Sequence, residues 1–233
     1  MRRQGKLQVI KLSKVTSTQD FAEAISEMID DDFVVVAEEQ TRARGRYGRE
    51  WYSPKGGLWV TYVIKGFDVA QIGMSTLRAA LAIRKTLSKL VEAKIRWPND
   101  VVVKDRKVSG VLLEAVTMGN KSTGFLGFGI NTNVSSFPPG IKATSIKNET
   151  GIEVENEKLL KEVISEINAY LSLDSESVIS ELNENLSIKE RKVKLKGRDW
   201  ERECVALFVD RFGRLVTECG IMEVEEVLRL ETS

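Results

Sequence analysis

Histidine is missing from this chain of 233 residues. Its absence excludes Ser-His-Asp and Cys-His catalysis, histidine general bases and most catalytic zinc sites. Any chemistry must therefore depend on lysine, arginine, aspartate, asparagine or backbone groups.

Cysteine is nearly missing as well, since only Cys204 and Cys219 occur. Two thiolates are too few for a metal site without other ligands. The two cysteines flank the turn Asp210-Arg211-Phe212-Gly213, so they could face each other across a hairpin. We expect two buried apolar thiols, with a disulfide as the alternative, because disulfides are the minority case inside cells.

The chain also lacks long apolar runs and a strong net charge. No run approaches the roughly 20 apolar residues that a membrane span needs. The opening residues MRRQGK lead into only a short apolar stretch, so we expect no secretory signal and a cytoplasmic location. The 35 Lys and Arg residues nearly balance the 34 Asp and Glu residues. A general nucleic-acid binder would more often be basic overall.

Hydrophobic patterning predicts an α+β domain over residues 1–187 and a small all-β module over residues 188–233. We expect one mixed or mostly antiparallel sheet with helices on one face, followed by a small β-barrel. Predicted strands cover residues 9–12, 33–37, 58–64, 95–97, 101–103, 108–116 and 124–131. Predicted helices cover residues 71–92 and 157–186.

A further helix is predicted behind Ser17-Thr18-Gln19-Asp20, which has the S-x-x-D form of a helix start. Its apolar face would consist of Phe21, Ala22, Ile25, Met28 and Ile29.

The Arg-rich loop, residues 40–57 (QTRARGRYGREWYSPKGG), is the densest motif. It contains Arg42, Arg44, Arg46 and Arg49, with Gly45 and Gly48 between them. Arginine presents a planar, permanently charged fork that matches phosphate or carboxylate, and glycine lets backbone N–H groups come close. We interpret the segment as a loop that folds over a polyanion, in preference to a solvated basic turn.

Three more segments carry polar residues in turns or glycines in strands. Arg96-Trp97-Pro98-Asn99-Asp100 predicts a stiff turn, and residues 104–114 predict a charged hairpin tip that runs into a strand. In that tip Lys107 would be exposed. Alternate glycines in residues 124–133 permit close approach by a ligand or another backbone. Each segment alone is a weak signal.

Taken together and in this order, the motifs resemble biotin protein ligase. The matching features are the Ser-Thr-Gln helix start, QTRARGRYGREWYSPKGGLW, RWPNDV, DRKVSGVLLE and GFGINTNV, over roughly residues 10–135. The resemblance implies a class II synthetase-like biotin/lipoate ligase fold, and the β tail fits the family's C-terminal SH3-like domain. Only about eight residues precede the first predicted strand, too few for the DNA-binding domain of some members, so no DNA binding is expected.

The family joins biotin to ATP, which gives biotinyl-5′-AMP and pyrophosphate, and then passes biotin to one lysine of a biotin carboxyl carrier protein. The first step needs no base, because the biotin carboxylate is already ionised near neutral pH. It needs charge neutralisation and in-line placement, which an arginine-rich site without histidine suits. Mg²⁺ would accompany ATP through its phosphates, with no dedicated protein ligands. A homodimer is plausible for the family.

Matching positions imply the site residues. Biotin-binding residues would be Ser17, Thr18, Gln19, Gln40, Arg44, Gly45, Arg46 and Lys107. ATP-binding residues would be Arg44, Arg46, Arg49, Trp51, Asn99, Lys107 and Asn131. The catalytic residues would be Arg46, Lys107 and Asp100, with Asp100 near the incoming lysine as its candidate proton acceptor.

Two positions depart from the family pattern. Ala43 replaces the usual glycine of the loop, which would cost about 1 kcal/mol if that position needs positive φ. Arg96 stands where lysine is common. Two other functions stay open: a lipoate or octanoate ligase of the same superfamily, and a non-catalytic nucleic-acid-binding module that uses the basic loop.

Overall fold

The structure, a computed structural model, describes residues 7–232. Residues 1–6, on which the expectation of no secretory signal depends, lie outside the described part. The chain divides into two compact units, one of Met1–Ile72 with Gly110–Asn156 and one of Gly73–Ser109 with Glu157–Ser233. The expected domain boundary between residues 187 and 188 stays a prediction.

The described residues form twelve β-strands and five α-helices. The strands are β1 (Gln8–Val15), β2 (Phe33–Gln40), β3 (Leu58–Lys65), β4 (Lys94–Arg96), β5 (Asp100–Val103), β6 (Arg106–Met118), β7 (Lys121–Ile130), β8 (Lys192–Lys196), β9 (Glu201–Val209), β10 (Leu215–Thr217), β11 (Gly220–Met222) and β12 (Arg229–Thr232). The helices are α1 (Thr18–Ile25), α2 (Ile72–Leu87), α3 (Ile146–Thr150), α4 (Asn156–Leu171) and α5 (Ser175–Glu184).

In the first unit the strand order is β1-β2-β3-β7-β6. Strands β1 and β2 are parallel, and β3 is antiparallel to both β2 and β7. In the second unit β4 pairs with β5, and β5 pairs with β6, which begins there and continues into the first unit. The predicted α+β class with a mixed, mostly antiparallel sheet is therefore confirmed.

One core cluster of the first unit forms between α1 and the sheet. Its buried members are Ala22, Phe33, Val35, Val63 and Phe125. The β-branched run of β2 is fully buried at its start, as is usual for a central strand. Met28, expected on the apolar face of α1, is 82% exposed. The prediction is wrong there because the chain tightens into a 3₁₀ turn at Ser26–Met28, which changes the helical period.

The helices of the second unit differ from prediction at their ends. Helix α2 ends at Leu87, before the predicted end at residue 92. The predicted helical region 157–186 contains two helices, because Asp174 interrupts it and caps α5 by accepting a hydrogen bond from the Ser177 amide at 2.8 Å. No helix among residues 7–232 is long and apolar enough to cross a membrane.

The C-terminal strands form a sheet with the order β11-β10-β9-β8-β12, and the described residues leave this sheet open. The expected C-terminal strands are present, whereas a separate all-β module and its SH3-like barrel stay predictions. Cys204 and Cys219 form a disulfide with Cα atoms 5.8 Å apart, so the expectation of two free thiols is wrong. The cause is the antiparallel pairing of β9 with β10. Thr217 pairs with Ala206, so the residues that follow Thr217 lie opposite Cys204.

Candidate active site

The first turn of α1 is capped as its sequence predicts. Ser17 is extended, and its Oγ accepts a hydrogen bond from the Asp20 amide at 3.2 Å. Ser17, Thr18 and Gln19 are buried, whereas Asp20 is exposed. Because the cap fixes the start of the helix, this turn presents Thr18, Gln19 and Asp20 to three different segments of the first unit.

Thr18 fixes the side chain of Gln40 at the end of β2. The Oε1 atom of Gln40 accepts from the Thr18 amide at 2.8 Å and from Thr18 Oγ1 at 3.0 Å. Its Nε2 donates to Ser53 Oγ at 3.0 Å, which uses one of the two N–H groups of the amide. Thr18 and Gln40, both predicted to bind biotin, therefore lie together. Sequence reasoning missed Ser53, whose only signal is a serine between an aromatic residue and a proline.

Gln19 contacts β6 and β7. Its Nε2 donates to the Phe125 carbonyl at 2.9 Å and to Glu114 Oε2 at 3.0 Å. Thr61 Oγ1 lies 3.1 Å from Gln19 Oε1. A Cβ atom at Gly127 would lie 2.5 Å from that same oxygen, so a larger residue here would displace the Gln19 amide from its present position. The predicted close approach at the β7 glycines is thus made here by a side chain.

Trp51 approaches β7 in the same way. A Cβ at Gly129 would lie 2.5 Å from Trp51 Nε1. The rings of Trp51 and Trp59 meet edge to face, with their centroids 6.4 Å apart. The half-buried ring of Trp51 therefore packs against both Gly129 and Trp59 in the first unit.

The middle of the Arg-rich loop folds as a small hairpin. The Gly45 amide donates to the Arg49 carbonyl at 2.7 Å, and the Trp51 amide donates to the Ala43 carbonyl at 2.9 Å. Tyr47 and Gly48, with φ of 59° and 71°, form the tip. Ala43 is buried and is not among the described residues with positive φ. The expected cost of alanine at this position does not arise in this conformation.

Arg44 is held by two carboxylates. Its Nη1 donates to Glu114 Oε1 at 2.5 Å, and its Nε and Nη2 donate to Asp20 Oδ1 at 3.3 and 3.1 Å. The hydrogen bond to Glu114 is the main reason that the pKa of Arg44 is raised above its ordinary value. Neither Asp20 nor Glu114 was predicted as a site residue. Glu114 carries the signal of a single acid at the end of an apolar run.

Arg46 and Arg49 lie nearer the tip of the hairpin than Arg44 does. Arg46 is half-buried, and its Nη2 donates to the Tyr47 hydroxyl at 2.8 Å while the guanidinium lies 4.9 Å from the ring centroid. Arg49 is exposed. Arg44 and Arg46 are therefore alike in being half-buried, whereas Arg49 is not.

Asn131 follows β7 and is buried. Its side-chain Nδ2 donates to the Thr144 backbone carbonyl at 3.0 Å, and its backbone carbonyl accepts from the Ile146 amide at 2.9 Å. These bonds hold the segment that leads into α3. The nucleotide role expected for Asn131 stays a prediction.

The second unit holds Asn99, Asp100 and Lys107. Lys107 lies within β6 and is half-buried, so the prediction that it is exposed at a hairpin tip is wrong. The tip of that hairpin consists of Lys104 and Asp105. The Nζ atom of Lys107 lies 2.6 Å from Asp100 Oδ1. Asn99 is half-buried in the turn between β4 and β5.

The Asp100 carboxylate is also bound by Arg96, whose Nη2 donates to Oδ2 at 3.0 Å. Burial alone would raise the pKa of Asp100, but the adjacent Lys107 and Arg96 cations outweigh it and hold that pKa below its usual value. A carboxylate held ionised in this way is a weak base. The structure thus pairs Asp100 with Lys107, and the expected role of Asp100 as proton acceptor stays a prediction.

Trp97 anchors this turn inside the second unit. Its buried Nε1 donates to the Gly213 carbonyl at 2.9 Å. A Cβ at Gly213, which has a φ of 84°, would lie 2.9 Å from Leu77 Cδ1. The segment that carries Asn99 and Asp100 is thus hydrogen-bonded to the turn between β9 and β10.

Residues 9–131 match the family model described as the biotin/lipoate A/B protein ligase family, which is more than half of the chain. The chain belongs to this family. Among curated members, the bifunctional ligase/repressor BirA of Bacillus spizizenii is 29% identical over 64% of this chain and 49% of its own length. The chain thus spans about half the length of that relative.

Two other matches cover a larger share of the matched protein. The biotin--[acetyl-CoA-carboxylase] ligase of Paracoccus denitrificans is 33% identical over 64% of this chain and 67% of its own length. The solved structure of the biotin protein ligase from Aquifex aeolicus in complex with biotin and ATP has a TM-score of 0.81 at 28% identity. That match covers 97% of this chain and 99% of the Aquifex chain.

Proposed function

We propose that the chain ligates biotin to protein in two steps. The biotin carboxylate attacks the α-phosphorus of ATP, which forms biotinyl-5′-AMP and releases pyrophosphate. The amino group of a lysine on a biotin carboxyl carrier protein then attacks the acyl carbon, and AMP leaves. The observation that carries the proposal is the match, over nearly the whole chain, to a ligase structure that holds biotin and ATP.

The first unit supplies the proposed binding groups for the biotin ring. Ser17, Thr18 and Gln40, with Gln19 beside them, present hydroxyl and amide groups suited to a ureido group. Their support is that Thr18 and Gln40 are already hydrogen-bonded to each other. Polar groups held in place before binding lose little freedom when a ligand arrives.

The Arg-rich loop supplies the proposed charge for adenylation. Arg44, Gly45 and Arg46 would close over biotin and the α-phosphate, while Arg49 would face the β- and γ-phosphates. Trp51 would pack near adenine, and Asn99 and Asn131 would serve the nucleotide. Fixed cations suit a step in which two anions meet and no base is needed.

Lys107 is the proposed bridge between the biotin carboxylate and the α-phosphate. Its support is the pairing with Asp100, which orients the ammonium. Asp100 was also proposed as acceptor of the proton from the incoming lysine, and its lowered pKa makes orientation of Lys107 the better-supported role. Mg²⁺ would enter with the phosphates of ATP.

The remaining proposals concern partners and architecture. The acceptor would be a carboxylase carrier protein, in keeping with the name of the Paracoccus relative. An SH3-like barrel built from the C-terminal strands, a homodimer, a cytoplasmic location and the lack of DNA binding all stay predictions.

The competing function is lipoate or octanoate ligation, since the family description includes lipoate ligases. The test incubates the purified chain with MgATP, a carrier domain and either biotin or lipoate. We expect pyrophosphate release and one biotinylated lysine, identified by mass spectrometry, with biotin only. Lipoylation in place of biotinylation, or no labelling of an intact carrier, would contradict the proposal.

A further inference from the structure

Glu114 on β6 has no role in the proposed function, yet it contacts two of the proposed site residues. Its Oε1 accepts from Arg44 Nη1 at 2.5 Å, and its Oε2 accepts from Gln19 Nε2 at 3.0 Å. One carboxylate thus joins the Arg-rich loop to the first turn of α1.

Asp20 binds the same guanidinium from its Nε side. Arg44 therefore lies between two carboxylates, and the three groups together carry one net negative charge. The two carboxylates attract the guanidinium from two sides and so hold it in one position. Its contacts join the Arg-rich loop to α1 and to β6 and form a tie between them.

We propose that Glu114 is a positioning residue that fixes Arg44 with one oxygen and Gln19 with the other. Arg44, held by Glu114 and Asp20, keeps the hairpin of the Arg-rich loop in place. Gln19, held by the same carboxylate, stays beside Thr18 and its partner Gln40. The inference rests on the proposed biotin adenylation, in which both residues serve.

The contact needs a carboxylate and not merely a polar group. In Glu114→Gln one oxygen becomes an NH₂ group, so only one of Arg44 and Gln19 keeps an acceptor. If Gln19 rotates its amide to accept from that NH₂, its own oxygen comes to face the Phe125 carbonyl, which cannot donate. The variant must therefore leave either the loop or the Gln19 amide without its partner.

The first test uses hydrogen exchange and needs no substrate. In Glu114→Gln we expect faster exchange of the Gly45 and Trp51 amides, which close the hairpin. The matched control is Glu39→Gln, which removes a carboxylate paired with Lys14 at 2.8 Å elsewhere in the first unit. Unchanged loop exchange in Glu114→Gln, or equal acceleration in both variants, would overturn the proposed tie.

The second test measures adenylation kinetics. We expect Glu114→Gln to raise KM for biotin about tenfold, the effect of one lost charge-assisted hydrogen bond, with a smaller fall in kcat, when both are measured well below the melting temperature of each protein. Glu39→Gln should match the parent chain. Equal KM values in all three proteins would refute the positioning role.

The two tests separate this inference from the proposed function. A parent chain without biotin ligation, together with faster loop exchange in Glu114→Gln, would contradict the function and leave the tie supported. If Glu114→Gln does not fold, Glu114→Asp keeps the charge on a shorter side chain. That variant should lose one of the two contacts and show the same effects to a smaller extent, and unchanged exchange would again refute the tie.

Discussion

Lys107 Nζ lies 2.6 Å from Asp100 Oδ1, so the proposed bridging lysine is ion-paired within its own unit. We expect Lys107→Ala to slow adenylate formation by about 10²–10³-fold, as is typical when one preorganised electrostatic group is removed. Arg96 stays as a partner for Asp100, so the fold should persist. Single-turnover pyrophosphate release measures the effect, and Lys94→Ala, an exposed lysine of β4, is the control. Unchanged turnover would remove Lys107 from the site.

The Asp100 pairing predicts a pH dependence of stability. The pKa of Asp100 in the folded protein lies below its ordinary value of 3.8. The stability that ionised Asp100 contributes is therefore present above pH 3.8 and is lost as the pH falls through the lower folded pKa. We expect the free energy of unfolding of the parent chain and Asp100→Asn to differ most above pH 4 and to converge in stronger acid. Urea unfolding at several pH values measures this. A constant difference across the series would show that Asp100 is not stabilised by its cations.

Arg46 is predicted to retain the adenylate. Arg46→Ala should let biotinyl-5′-AMP leave the protein faster, because a half-buried guanidinium near the hairpin tip is lost. Escape is measured by trapping free adenylate after rapid dilution. Arg42→Ala, an exposed arginine of the same loop with no proposed role, should not change it. Equal escape from both variants and the parent chain would contradict the idea of a closing loop.

Gly127→Ala is expected to weaken biotin binding about tenfold. The added Cβ would lie 2.5 Å from Gln19 Oε1, so the Gln19 amide must shift and lose a hydrogen bond. Calorimetric titration with biotin measures the effect. Gly73→Ala is a matched control, since a Cβ there meets nothing within 4 Å. Comparable affinities in the two variants would show that Gln19 has no part in binding.

The disulfide predicts a redox-dependent stability. Its sequence separation is 15, and closing a loop of about that length stabilises a fold by about 3 kcal/mol in the chain-entropy model. Cys219→Ser should therefore lower the melting temperature of the oxidised protein and abolish its response to reductant. Thermal unfolding with and without dithiothreitol tests both effects. An unresponsive parent chain would mean that the bond contributes little.

Local patterns along the chain predicted local structure. Ser17-x-x-Asp20 predicted the start of α1, the run at residues 33–37 predicted β2, and the alternating runs after residue 188 predicted strands. These features depend on capping and on side-chain period, which near neighbours in the sequence determine. The ordered motifs also carried the family resemblance.

The partners of the site residues were decided only by tertiary structure. Arg44 and Glu114 are 70 residues apart in sequence, and Gln19 and Phe125 are 106 apart. Likewise, the register of β9 and β10 brings Cys204 to Cys219, and the start of β6 brings Lys107 to Asp100. The sequence by itself determined which chemical groups the site contains. Folding decided which of them neutralise one another, because pairing between distant segments depends on packing and strand register.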